Sequence, residues 1–255
     1  MRNILAITGR ELKAYFVSPI AYVVFTVFFI ISGWFFFNIL SYYNLQSLQA
    51  IRYPALMEKL NLHEMVLRPH SYNLSIVLLL MIPVLTMRLW AEEKGSGTAE
   101  LLLTSPVRLV EIVLGKYLSS LILLLIMMIL AFQYPLILII FGNPEPGPII
   151  TTYLGLFLMG ASFLAVGFFA SSLTENQIVA AIIGFGALLF FWVISWASHT
   201  VGTTFGEVLS YLSLMEHFDE FSKGLLDTKD IVFFLSFSFF GLFLTHRVIE
   251  SHGWR

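Results

Sequence analysis

The stretch PGPIITTYLGLFLMGASFLAVGFFASSLT, residues 146–174, contains no Asp, Glu, Lys or Arg. A helix rises 1.5 Å per residue, so about 20 apolar residues cross the ~30 Å hydrocarbon core of a bilayer. This run is long enough to span, and it decides the class of fold. Five more charge-free runs occur, at 14–51, 69–87, 117–144, 176–206 and 231–246. Trimmed at their polar ends, the six predict helices at about 19–40, 71–87, 112–141, 149–171, 177–198 and 231–247.

Composition points the same way. The 255 residues are 58% hydrophobic and 12% charged, with mean hydropathy +0.86. An ordinary soluble domain carries about 25% charged residues, too many for this chain to match. The expected fold is an all-α integral membrane protein with one transmembrane domain over 1–255. A net charge of −2 offers no footprint for nucleic acid. Without cysteine there is no disulfide framework and no thiolate metal site. The N-terminus does not read as a cleavable signal. Arg2, Arg10 and Lys13 interrupt it, and the apolar run after Pro19 exceeds an h-region of ~7–15 residues.

Six spans put both termini on one side, and the Lys/Arg bias selects which. With the termini inside, inner segments hold Arg2, Arg10, Lys13, Arg88, Lys94, Arg108, Lys116, Arg247 and Arg255. Outer segments hold only Arg52, Lys59, Arg68, Lys223 and Lys229. Both termini are therefore expected in the cytoplasm.

Residues 3–17 predict an amphipathic helix lying in the inner interface. Leu5, Leu12, Tyr15 and Phe16 share one side, Arg2, Arg10 and Lys13 the other, and Ile7 breaks the pattern. Ser18-Pro19 reads as an N-cap with Pro at the first helical position. Residues 207–226 predict a second such helix, flat on the outer leaflet between spans five and six. Val208, Tyr211, Leu212, Met215 and Phe218 form its apolar face and Gly224 its stop. Residues 54–66 are a weaker instance.

The segment RLWAEEKGSGTAELLLTSPVR, residues 88–108, joins spans two and three on the inner side. Gly95 and Gly97 end the helix leaving span two, and Glu100 suits the first turn of a new one. Ser105-Pro106 ends that short helix in turn. The result is a rigid, charged knob whose displacement would move both spans; a plain solvated loop fits the same composition. Pro83 and Pro135 kink these two spans and are candidate hinges. Gly160, Gly167 and Ser171 share one face of span four, where small residues permit close packing within the subunit or across a dimer.

Several chemistries are missing. No G-x-x-x-x-G-K-[ST] loop cradles nucleotide phosphates, so any ATP hydrolysis belongs to another chain. His63-Glu64 starts a zinc-protease motif that fails at Leu67, and Ser162 has no identifiable histidine partner. His63, His70, His199 and His217 with the nine Met leave a soft-metal site open as a minor reading. No Asp, Glu, Lys or Arg lies mid-span, where ion-coupled carriers need them. A lipid-like substrate, or mechanical output with none, suits such walls better than a sugar or ion.

Residues 88–116 resemble the signature of ABC type-2 permeases. The matching features are the acidic pair Glu92 and Glu93, the run Gly97, Thr98, Ala99, Glu100, Leu101, Leu102 and Leu103, then Pro106-Val107 and Gly115-Lys116. Residues 171–177 (SSLTENQ) and 217–227 (HFDEFSKGLLD) extend the resemblance over essentially the whole chain. The last stretch is most similar to gliding-motility-type (GldF-like) permeases and less so to NosY-like ones of copper-enzyme maturation. The resemblance implies the membrane-spanning subunit of an ATP-driven exporter in a bacterial cytoplasmic (inner) membrane. The resemblance implies that this subunit is not itself an enzyme and is expected to bind no cofactor or metal. Two copies of a separate ATPase would bind ATP and Mg, and a second permease half, identical or related, would complete the unit in contact with membrane lipid. A periplasmic auxiliary subunit is compatible with this. The short helix is then the coupling helix. Arg88, Trp90, Glu92, Glu93, Gly97, Thr98, Glu100, Leu101, Leu102, Pro106 and Glu175 are the implied coupling residues. Glu92, Glu93 and Glu100 are expected to make polar contacts, and Trp90, Leu101 and Leu102 to anchor. Two other readings stand beside it: a channel or carrier acting alone, and an ATP-driven scaffold that moves no solute.

Overall fold

The structure, a computed structural model, describes residues 2–52, 60–104, 106–198 and 203–252. Among them there is no strand, and six helical stretches are long and apolar enough to cross a membrane. The chain is an all-α integral membrane protein.

Helix α1 (Arg2–Val17) leads through Ser18 into α2 (Pro19–Arg52). The Ser18 hydroxyl oxygen accepts the Ile20 N–H at 3.4 Å, and Pro19 needs no acceptor at the helix start. The first span overruns its predicted end near 40, because Asn44, Gln46, Ser47 and Gln49 are polar but break nothing. The expected helix over 54–66 lies partly outside the described residues; its described end is a π-helical turn, His63–Leu67, feeding α3 (Arg68–Thr86). Then follow α4 (Arg88–Gly95), α5 (Ala99–Leu103), α6 (Leu109–Ala131), α7 (Gln133–Gly142), α8 (Pro146–Ser172), α9 (Gln177–Ser198), α10 (Thr203–Leu212), α11 (Leu214–Ser222) and α12 (Thr228–His252).

Proline positions explain the breaks. Span three divides at Phe132 into α6 and α7. Pro135 has no N–H for the carbonyl four residues earlier, at Ala131. Tyr153 of α8 donates its hydroxyl to that carbonyl instead, at 2.9 Å. Pro83 lies inside α3, one turn before α3 gives way to α4 at Met87.

Helix α8 is the axle of the bundle, packed against α3, α4, α6, α9, α11 and α12. Its glycines admit neighbours that a Cβ would exclude. A Cβ on Gly160 would stand 2.8 Å from Leu124, and one on Gly167 would stand 2.8 Å from the Thr86 Cβ. Both therefore serve packing within the subunit. Spans one, five and six are the least buried and present apolar faces outward.

Two expectations about the short helices change. In α1, Leu5 is exposed, whereas Ile7, Thr8, Leu12 and Tyr15 face the protein. Ile7 lies where a Cβ on Gly115 would meet it at 2.8 Å. The residue that spoiled the amphipathic pattern is thus the contact with α6. An interfacial helix packed on protein has two apolar sides, and a single hydrophobic stripe does not describe it. The one helix expected over 207–226 is two. Ser213 has extended backbone, and its hydroxyl caps α11 by accepting the Met215 and Glu216 N–H groups. The break rephases the pattern, so Val208 and Tyr211 are exposed while Leu214, Phe218 and Phe221 are buried against α8. Gly224 ends α11 with φ +88°, as its position predicts.

Candidate functional site

The segment between spans two and three is held by four elements. The first brace is Ser171 on α8. Its hydroxyl oxygen accepts the Trp90 and Ala91 N–H groups, each at 3.0 Å, and donates to the Met87 carbonyl at 2.9 Å. One side chain thus bridges the break between α3 and α4, as inserted hydroxyls do at kinks. The Trp90 ring is 1% exposed, so it belongs to the core of this chain and offers nothing to a partner.

The second brace is ionic. Lys116 of α6 is almost fully buried, and its ammonium lies 3.0 Å from Glu11 of α1 and 3.1 Å from Glu93 of α4. Arg10 approaches the same two carboxylates at 2.7 and 3.1 Å. Two cations and two anions neutralise one another where three helices meet. Glu93 is therefore committed inside the subunit. Thr98 donates its hydroxyl to the Glu93 carboxylate, which fixes the start of α5. Gly97 makes the turn before it with φ +72°. Glu11 went unnoticed in the sequence because its buried partner Lys116 is 105 positions away; Lys116 stood in the motif without a role.

The third brace runs from α1 to α4. Arg88 sits 5.4 Å over the Tyr15 ring and pairs with Glu92 at 2.9 Å, while the Tyr15 hydroxyl donates to the Leu85 carbonyl. The fourth is the loop between α8 and α9. Lys94 donates to the Ser172 carbonyl at 2.9 Å, and a Cβ on Gly95 would stand 3.1 Å from the Glu175 carbonyl. Glu175 thus lies beside the end of α4.

Glu92, Glu100, Leu101, Pro106 and Glu175 remain exposed at this end of the bundle, and Leu101 is 72% exposed. Leu102 is half-buried. A recess of about 480 Å³ opens between α1 and α5, lined by Ile7, Arg10, Leu101, Leu102 and Val107 among others. A braced helix with a bare leucine and a carboxylate beside a recess is a docking geometry.

The opposite end is closed on itself. Asp219 of α11 receives Arg68 at 2.8 Å, Lys223 at 2.6 Å and the Tyr72 hydroxyl. Partial burial pushes its carboxyl up, but hydrogen bonds from Lys223, Tyr72 and Arg68 outweigh this and hold it at about 2. His217 lies 2.6 Å from Asp230 of α12. Among the described residues no cluster of three His, Asp or Glu side chains could hold a metal, and His199 lies outside those residues.

Fold and site together define a multi-pass membrane protein with a braced loop helix at one end. Residues 69–215 match the family model described as ABC-2 family transporter protein. That is more than half the chain, and the chain belongs to this family. It is a transmembrane ABC transporter subunit, a permease component whose family implies an ATPase partner. None of the curated proteins matches the chain.

Proposed function

We propose that this permease couples ATP hydrolysis by a separate ATPase to export across a bacterial inner membrane, with the α5 end and both termini in the cytoplasm. Two ATPase copies and a second permease half complete the unit. The carrying observation is the exposed Leu101 and Glu100 on a helix braced into α1, α4, α6 and α8. Force applied to α5 passes through Thr98 and Glu93 to Lys116 and, through Ser171, to the axle helix. Nucleotide shifts the permease only as far as it favours one ATPase state over the other. Uncharged mid-span walls support a lipid-like substrate. The stretch 217–227 supports the gliding-motility-type reading, in which mechanical work on a surface partner is the alternative output.

The test is capture of the ATPase encoded beside this chain. Wild type is expected to retain it. Glu100→Ala with Leu101→Ala is expected to weaken capture at least tenfold at unchanged thermal stability. Undiminished capture by that variant would remove α5 from the interface, and no capture by folded wild type would remove the coupling reading.

A further inference from the structure

His217, Asp230 and the Tyr211 carbonyl form a buried site at the α11 end that the transport reading does not use. The His217 and Asp230 side chains are 7% and 1% exposed. His217 Nε2 lies 2.9 Å from the Tyr211 carbonyl oxygen, and Nδ1 lies 2.6 Å from Asp230 Oδ1. A carbonyl oxygen can only accept, so Nε2 must carry a hydrogen. A neutral imidazole then has a bare lone pair at Nδ1. Facing a carboxylate at 2.6 Å, two lone pairs would repel in a site shielded from water. One further proton must therefore lie between Nδ1 and Oδ1.

From this we infer that the structure contains a proton-binding site, which ties α10, α11 and α12 together only while the proton is present. The surroundings favour the ion-paired form. Asp230 sits in the first turn of α12, where the helix dipole stabilises a carboxylate. His217 stacks on Phe233 at 3.8 Å and 21°, a placement that suits a cationic ring. The other charged and titratable groups nearby are accounted for. The Tyr211 ring of α10 stands edge-on at 5.4 Å, and Glu207 of α10 is exposed. Lys229 turns to Asp227 at 3.1 Å. On α11, Glu216 precedes His217 in the chain, Glu220 bonds Lys223, and Asp219 is engaged by Arg68, Tyr72 and Lys223. Spans α8 and α9, packed against α11, carry no Asp, Glu, Lys, Arg or His among the described residues.

When α10 and α11 separate from α12, that shared proton can pass to water, so rising pH favours the open form by up to about tenfold per pH unit. Asp230→Asn separates this from a merely structural pair. The asparagine amide can donate to Nδ1 while Nε2 still donates to Tyr211, which keeps the contacts without the extra proton. The experiment is hydrogen exchange of residues 214–222 in the full chain, wild type against Asp230→Asn, from about pH 6.5 to 8.5. The ratio of the two opening constants is expected to climb by up to about tenfold per pH unit. A flat ratio would overturn the proposal. Nitrogen NMR of the imidazole, assigned with His217→Gln, is expected to show hydrogen on Nε2 at neutral pH; a bare Nε2 would overturn it as well. Neither readout depends on the ATPase.

Discussion

Helices α5 and α11 are alike in kind: each is short, amphipathic and placed between two spans, and each carries acidic residues beside leucine or phenylalanine. Their surroundings separate them. Around α11, Leu214, Phe218 and Phe221 are 0% exposed, and Asp219 has three donors. Around α5, the bracing groups are satisfied, yet Leu101 stands bare beside an exposed Glu100. A surface completed within the chain stabilises the fold. A surface rigidly held and left apolar is completed by something else. The same local pattern is thus closed within the chain at one end and left open at the other, where the proposed docking would fall.

The largest test sets Phe218→Ala against Leu101→Ala. Removing Phe218 leaves a cavity against α8 and is expected to cost about 3 kcal/mol, the cavity cost surviving where lipid weakens the transfer cost. Leu101→Ala is expected to stay within about 0.5 kcal/mol, as for an exposed position. Thermal unfolding of the purified protein in detergent reads both, and equal losses would erase the distinction.

Lys116→Met probes the brace. It leaves Glu11 and Glu93 facing one another with Arg10 as their remaining cation. A cost of about 2–3 kcal/mol is expected, somewhat below that of a fully buried pair, and Glu93→Gln in the same chain should restore part of it. Thermal unfolding of both variants reads this, and no recovery in the double variant would mean that charge is not what holds α1 to α4.

The smallest effect is at Asp219. Its carboxyl is held at about 2, below the ordinary ~3.9, so its contribution is complete above about pH 4 and fades as pH falls toward 2. Melting temperatures of wild type and Asp219→Asn should differ at neutral pH and converge over that window. A gap that persists at the acid end would assign the effect to shape and not to ionisation.

Much was legible in the residues. Each charge-free run overlaps a spanning helix over most of its length, Gly97 and Gly224 stand at the predicted stops with positive φ, and Pro135 marks a break. These are local effects of hydropathy and backbone sterics. The apolar side of α1 was misread, since Ile7 packs on Gly115 more than a hundred positions away. The division at Ser213 was missed, because a serine inside an amphipathic stretch gives no sign that it will turn extended and cap.

Hydropathy was enough to predict six apolar helices across a bilayer, since a continuous apolar run of about 20 residues can satisfy its backbone in lipid as a helix. The sequence also placed a charged, glycine-bounded segment between the second and third. Which of that segment's residues are spent inward became visible once the helices were packed together. Trp90 and Glu93 are consumed by contacts with Ser171, Lys116 and Arg10, while Glu100 and Leu101 are left outside. The physical reason is that burial and ion pairing depend on neighbours distant in the chain. Hydropathy and turn chemistry are properties of the residues themselves.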